Sequence, residues 1–115
     1  MIKRAKDLPT EVVAKRFGGK GEVASTRLLE LDQFQGKGRL FAHNKIRPNS
    51  SAGLHQHKGD FEVFYILSGE GIIDDNGTKA PVKAGDVILT GDGESHGLEN
   101  TGSVDLEYIA LILFV

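Results

Sequence analysis

The chain has no cysteine and no tryptophan, one methionine and three prolines among 115 residues. Without cysteine, disulfides and thiolate metal sites are excluded outright. Charge of one sign is also missing: 14 basic side chains face 16 acidic ones, for a net charge of -2, so no bulk field recruits nucleic acid. Lys3, Arg4, Lys6, Lys15, Arg16 and Lys20 crowd the start of the chain, but Asp7 and Glu11 dilute them. That segment reads as a solvated arm and not as a phosphate-binding patch. The most apolar run, Tyr108 to Val115, is too short to span a membrane as a helix. The N-terminus lacks the apolar core of a secretory signal. The expected location is therefore cytoplasmic, with neither nucleic acid nor membrane as a partner.

Glycine, by contrast, is abundant at 15 residues, standing singly or in short groups between β-rich runs. That is the punctuation of many short strands. Helical periodicity is nearly absent; Pro9 to Lys15 could form one short helical turn. Glu22–Phe34 reads as a strand, as do Arg39–Ile46, Glu62–Leu67, Val87–Thr90 and the last segment, Asp105–Val115. Asn76-Gly77 marks a hairpin. The class is all-β, sandwich or barrel, with an arm over residues 1–21 and one domain over residues 22–115. The second half of Asp105–Val115 is apolar on both alternating faces, which predicts a strand sandwiched in the core or covered by a partner chain.

Three of the four histidines fall into one pattern with a glutamate: His55-Gln56-His57, then Glu62, then His96. Two imidazoles two residues apart share a strand face. Three ring nitrogens and one carboxylate suit one divalent transition metal: Mn, Fe, Co, Ni, Cu or Zn. Such a set leaves a net charge of about +1 around the ion. It also leaves about two coordination positions for water, dioxygen or a chelating ligand. Taken singly, each residue has a plainer reading. His55 and His57 could be exposed loop residues, Glu62 could pair with Lys58 on the surface, and His96 could belong to a turn. His57 and Glu62 also have opposite parity, so both can bind only if a turn or bulge at Lys58-Gly59-Asp60 intervenes.

In their order and spacing these residues resemble the cupin superfamily. Its first motif is Gly, five residues, HxH, three or four residues, Glu, six residues, Gly. Here His55-Gln56-His57 is followed by Glu62 and Gly69, with Asn49 in place of the leading glycine. The second motif is Gly, five residues, Pro, x, Gly, two residues, His, three residues, Asn. Gly85, Gly93, His96 and Asn100 match it, with Gly91 in place of proline. The resemblance covers about Ile46 to Val115 and implies a double-stranded β-helix, the jelly-roll cupin barrel, with His55, His57, Glu62 and His96 as metal ligands. It also implies a homodimer, and an activity drawn from a family that includes dioxygenases, isomerases, decarboxylases and sugar-sensing modules.

Three residues are candidates to line the pocket. His43 is a candidate acid or base, although it could equally lie on the outer sheet surface. Phe64 shares parity with Glu62 and would form an apolar wall. Asn100 would hold the turn near His96. The first functional expectation is a small metalloenzyme acting on a small oxygen-rich metabolite, by dioxygenase, isomerase or lyase chemistry. The alternative is a non-catalytic, metal-dependent module binding a sugar or organic acid. A metal that merely stabilises the barrel mouth is the third.

Overall fold

Alternation along one strand decides the architecture. In β5 (Asp60–Ser68), Asp60, Glu62, Phe64 and Ile66 are buried, while Phe61, Val63, Tyr65 and Leu67 are not. The strand therefore lays one face on a core and turns the other outward. The computed structural model describes residues 1–115 and contains nine further strands. These are β1 (Thr10–Ala14), β2 (Glu22–Arg27), β3 (Gly38–Ile46), β4 (Ser51–Gln56) and β6 (Glu70–Asp75). The remainder are β7 (Thr78–Lys83), β8 (Val87–Thr90), β9 (Ser95–Asn100) and β10 (Leu106–Phe114).

They form two antiparallel sheets, one of six strands in the order β1-β2-β3-β10-β5-β8 and one of four in the order β4-β9-β6-β7. This is a double-stranded β-helix. The core lies between the sheets, where Val23, Ile46, Phe64, Ile66, Ile73, Leu98, Leu106 and Tyr108 pack together. At one end β3, β5 and β9 begin while β4, β8 and β10 finish. Registers His55↔His96, Glu62↔Thr90 and Ile112↔Glu62 bring the inward side chains of that end together.

Two local expectations are corrected. Pro9–Lys15 is not a helical turn: Thr10–Ala14 is a strand, paired from Thr10↔Thr26 to Ala14↔Glu22. The adjacent Val12 and Val13 are β-branched and favour the extended backbone. A 3-10 turn follows at Arg16–Gly18. Nor is Glu22–Phe34 one strand. It ends at Arg27, and Leu31–Phe34 forms a 3-10 turn. The cause is a capping box, in which the Glu30 side chain accepts from the turn's third residue and the Gln33 side chain accepts from the Glu30 N–H at 2.9 Å. In β10, Leu106, Tyr108, Ala110 and Ile112 are buried, and Ile109, Leu111 and Leu113 are half-buried on the outer face.

Candidate metal centre

His55 is the penultimate residue of β4, and the chain leaves the strand through His57. Gly59, at φ +77°, turns it into β5. This is the reversal that the opposite parity of His57 and Glu62 demands, and it lets both point inward. His57 is stitched to the loop before β9 through both backbone groups: its N–H donates to Glu94 O at 2.9 Å, and its carbonyl accepts from Gly93 N at 2.7 Å. That loop delivers His96, directly across from His55 in the sheet.

The four side chains converge, with one donor atom from each lying within 4.8 Å of all the others. His57 Nε2 is 3.2 Å from His96 Nε2, which is 3.1 Å from His55 Nε2. Glu62 Oε1 is 3.0 Å from His57 Nε2 and 2.9 Å from His96 Nε2. Two ligands at right angles about an ion, each about 2.0–2.2 Å from it, stand about 3 Å apart. The observed spacings are those of neighbouring ligands on one coordination sphere. His57, Glu62 and His96 are buried, and His55 is half-buried.

The outer partners decide which nitrogen faces the centre. His57 Nδ1–H donates to Asp60 Oδ1 at 2.7 Å, and His55 Nδ1–H donates to the Gly53 carbonyl at 2.8 Å. Both partners can only accept, so in the neutral rings the proton sits on Nδ1 and the Nε2 lone pair points inward. His96 Nδ1 lies 2.7 Å from the Thr90 hydroxyl, which can donate or accept. A proton on His96 Nε2 could not satisfy two imidazole lone pairs and a carboxylate at once; a cation can. The donor set fits a divalent metal ion, and these four residues could hold one.

The electrostatics agree. Burial, with help from the neighbouring His96 and His57, holds His55 below its ordinary 6.5 against the opposing pull of Gly53 and Glu62. Burial would push Asp60 up, but the Arg39 guanidinium and His57 outweigh it and hold the carboxyl below its ordinary range. Arg39 Nε donates to Asp60 Oδ2 at 2.8 Å, so the line Arg39–Asp60–His57 runs from the surface to the centre. Two aromatic rings close the sides. Phe64 stacks on His96 with centroids 4.8 Å apart, and Phe17 stacks on His55 at 3.7 Å.

A cavity of about 200 Å³ opens onto the cluster. Besides His55, His57, Glu62 and Phe64, its walls include Arg16, Phe17, Arg39, Asn44 and Tyr108. His43 is not among them. On β3 the buried parity is Ala42, Asn44 and Ile46, so His43 faces outward, with its Nε2 3.0 Å from Glu107 Oε1. There burial is outweighed by Ser68, His43 and Lys45, which together hold Glu107 below its ordinary range. Asn100 is buried but away from the cavity. Its amide donates to Ile46 O and Val104 O, each at 2.8 Å, and ties β9 to the end of β3 and to the loop before β10.

Sequence reasoning missed Asp60, Thr90, Asn44, Tyr108, Arg39, Arg16 and Phe17. Asn44 and Tyr108 carried a usable signal, since each is the polar member of an otherwise apolar strand face. Asp60, three residues after His57, carried a weaker one. Nothing in the spacing marks Arg16 and Phe17, which reach the site from a distant turn.

Among known proteins, the family described as Cupin domain matches residues 42–112. A protein of Thermotoga maritima named oxalate-binding protein is 49% identical over 115 residues, covering 100% of this chain and 95% of that protein. A crystal structure from Thermotoga maritima, described as a predicted oxalate decarboxylase, superposes with a TM-score of 0.96 at 49% identity and covers 100% of both chains. A polyketide cyclase from Streptomyces resistomycificus shares the fold, with a TM-score of 0.77 at 23% identity over 99% of this chain and 80% of its own.

Proposed function

The chain belongs to the cupin family, and from that premise we propose that it captures a small chelating organic acid through one divalent transition metal ion held by His55, His57, Glu62 and His96. Oxalate is the first candidate. The reading is carried by the convergence of three oriented imidazoles and a buried carboxylate beneath a small cavity walled by both polar and apolar side chains. The 49% identical relative named for binding oxalate supports the choice of acid. When bound, the ion offers adjacent oxygens of a ligand a Lewis-acid point of attachment. The chain's own residues do the rest. Asp60, Gly53 and Thr90 hold the rings in register, Phe64 and Phe17 exclude water from their faces, and the cavity walls set the size of what enters.

A metalloenzyme of the lyase type is the second reading, favoured by the relative described as a predicted oxalate decarboxylase. Against turnover stands the rest of the cavity. Beyond the four donors, the ionisable groups on its walls are two permanently charged guanidiniums, Arg16 and Arg39, and the Tyr108 phenol, pushed up to about 12 by burial. None of these exchanges a proton readily near neutral pH.

Calorimetric titration of oxalate into protein loaded with one equivalent of Mn(II) or Zn(II) tests the proposal. Binding that disappears in the metal-free protein supports it; equal binding with and without metal, or none with metal, contradicts it. Conversion of oxalate and a proton to formate and CO₂ would establish the lyase reading.

A further inference from the structure

Arg16 belongs to no motif, yet it lines the same cavity as the four-donor cluster. The cavity's other arginine, Arg39, is committed to Asp60 at 2.8 Å. Arg16 has no ion-pair partner; its guanidinium sits 5.2 Å from the centroid of the Phe17 ring. Arg16 is half-buried at the cavity wall, and without a carboxylate partner its guanidinium donors are free to meet an anionic ligand.

The backbone around Arg16 is built to put it there. Lys15 and Phe17, on either side, both adopt φ 51° in the left-handed region that side-chain-bearing residues rarely occupy. The turn is pressed onto β4 so closely that a Cβ on Gly19 would overlap Ser51 O, and one on Gly53 would overlap Phe17 O. Lys20 N donates to Ser51 Oγ at 3.0 Å, and Ser51 N donates to Lys20 O at 2.9 Å, fastening the far side of the turn. Strained backbone of this kind persists where the surroundings over-determine it, and it clusters at ligand sites.

Asn44 on β3 is only 3% exposed, lines the same cavity, and its Oδ1 has no hydrogen-bond partner. A buried acceptor without a partner is costly, and a carboxylate, which only accepts, can relieve it only when the amide is turned so that its N–H end takes that place. The amide can exchange its ends by rotation and so present either an acceptor or an N–H donor to the cavity.

Charge then selects the ligand. A divalent ion with Glu62 and three neutral imidazoles carries about +1. A ligand with one negative charge neutralises that centre by itself. A dianion leaves one negative charge over, and Arg16 is the uncommitted cation in the cavity to meet it. Resting on the metal-dependent reading above, we propose that Arg16, with Asn44 beside it, grips the outer oxygens of a small dicarboxylate and makes the site prefer dianions over monoanions. The guanidinium fork matches a carboxylate edge with two parallel N–H donors.

Calorimetry on metal-loaded protein tests this with two probes, oxalate and the monoanionic chelator glycolate. In R16Q, oxalate affinity is expected to fall at least about tenfold while glycolate affinity and metal affinity stay within about twofold of the parent, because one charge-assisted contact is lost. R16K should recover part of the oxalate affinity but not all of it. Unchanged oxalate binding in R16Q would overturn the proposal and leave the metal-dependent reading standing. Equal losses for both probes, or a loss of metal affinity, would also overturn it, since the turn would then merely support the cluster. Oxalate binding by the unsubstituted protein that ignores the metal would instead refute the underlying reading.

Discussion

Asp60 does more for the centre than its place in the sequence suggests. Its two oxygens divide the work, one accepting from His57 Nδ1 at 2.7 Å and the other from Arg39 Nε at 2.8 Å. In D60N the amide can still fill the space, but it no longer offers two anionic acceptors, so His57 loses the bias that keeps its Nε2 lone pair inward. Metal affinity should fall about 10–100-fold, as is typical when such outer partners are removed. Competition against a chromophoric chelator measures it, and an unchanged affinity would remove Asp60 from the account. Tyr108 provides a pH handle. Burial raises its phenol from 10.0 to about 12, with Glu62 acting in the same direction and Asn44 and Arg16 against it. The folded chain holds this proton more tightly than the unfolded chain, so the stabilisation is complete below about pH 10. It drains away as pH rises from 10 towards 12, at up to about 1.4 kcal/mol per pH unit. Tyrosinate absorbance should show one of the two tyrosines ionising only near pH 12 or on unfolding. Ionisation of both near pH 10 in the folded protein would contradict the burial argument.

At the scale of elements, much was legible because period-two alternation and glycine punctuation are strong signals. The strand at Val87–Thr90 lies where the sequence places it, and the Asn76-Gly77 hairpin joins β6 to β7. The demand for a turn between His57 and Glu62 followed from parity alone and is met at Gly59. Three things resisted reading, each for a physical reason. Thr10–Ala14 is short and edge-on, so its valines serve a strand or a helical turn equally well until β2 is there to pair with it. The sequence left the face of β3 open, with His43, Phe41 and Lys45 on one side and Leu40, Ala42, Asn44 and Ile46 on the other, because each side carries both polar and apolar residues. Packing against the core chose the second set. The partners that orient the imidazoles come from β5 and β8 and from the carbonyl of Gly53, and a ligand pattern contains no information about them. Arg16 and Phe17 arrive through tertiary packing of a turn onto β4, which spacing does not encode.

Across the whole molecule, the outer face of the six-stranded sheet is apolar over several strands. Cross-strand register lines up Leu89, Val63, Leu111 and Phe41 in one row and Val87, Tyr65 and Ile109 in the next. Val87 and Leu89 are more than half exposed. No helix is long and apolar enough to cross a membrane. We propose that a second copy of the chain covers this face as a homodimer, because isologous pairing lets the same patch serve both partners. Light scattering should give about twice the 12.4 kDa of one chain, and a Leu89→Glu substitution should halve that mass without unfolding the protein; a monomer before substitution would refute the dimer. One cation is expected to gather the three imidazoles and Glu62. The most direct measurement is calorimetric titration of metal-free protein with Zn(II), carried out in parallel on His96→Ala. The expected result is one ion per chain for the parent and an affinity weakened at least about a hundredfold, or lost, in the variant. Equal stoichiometry and equal affinity in both proteins would mean that this cluster is not where the metal binds.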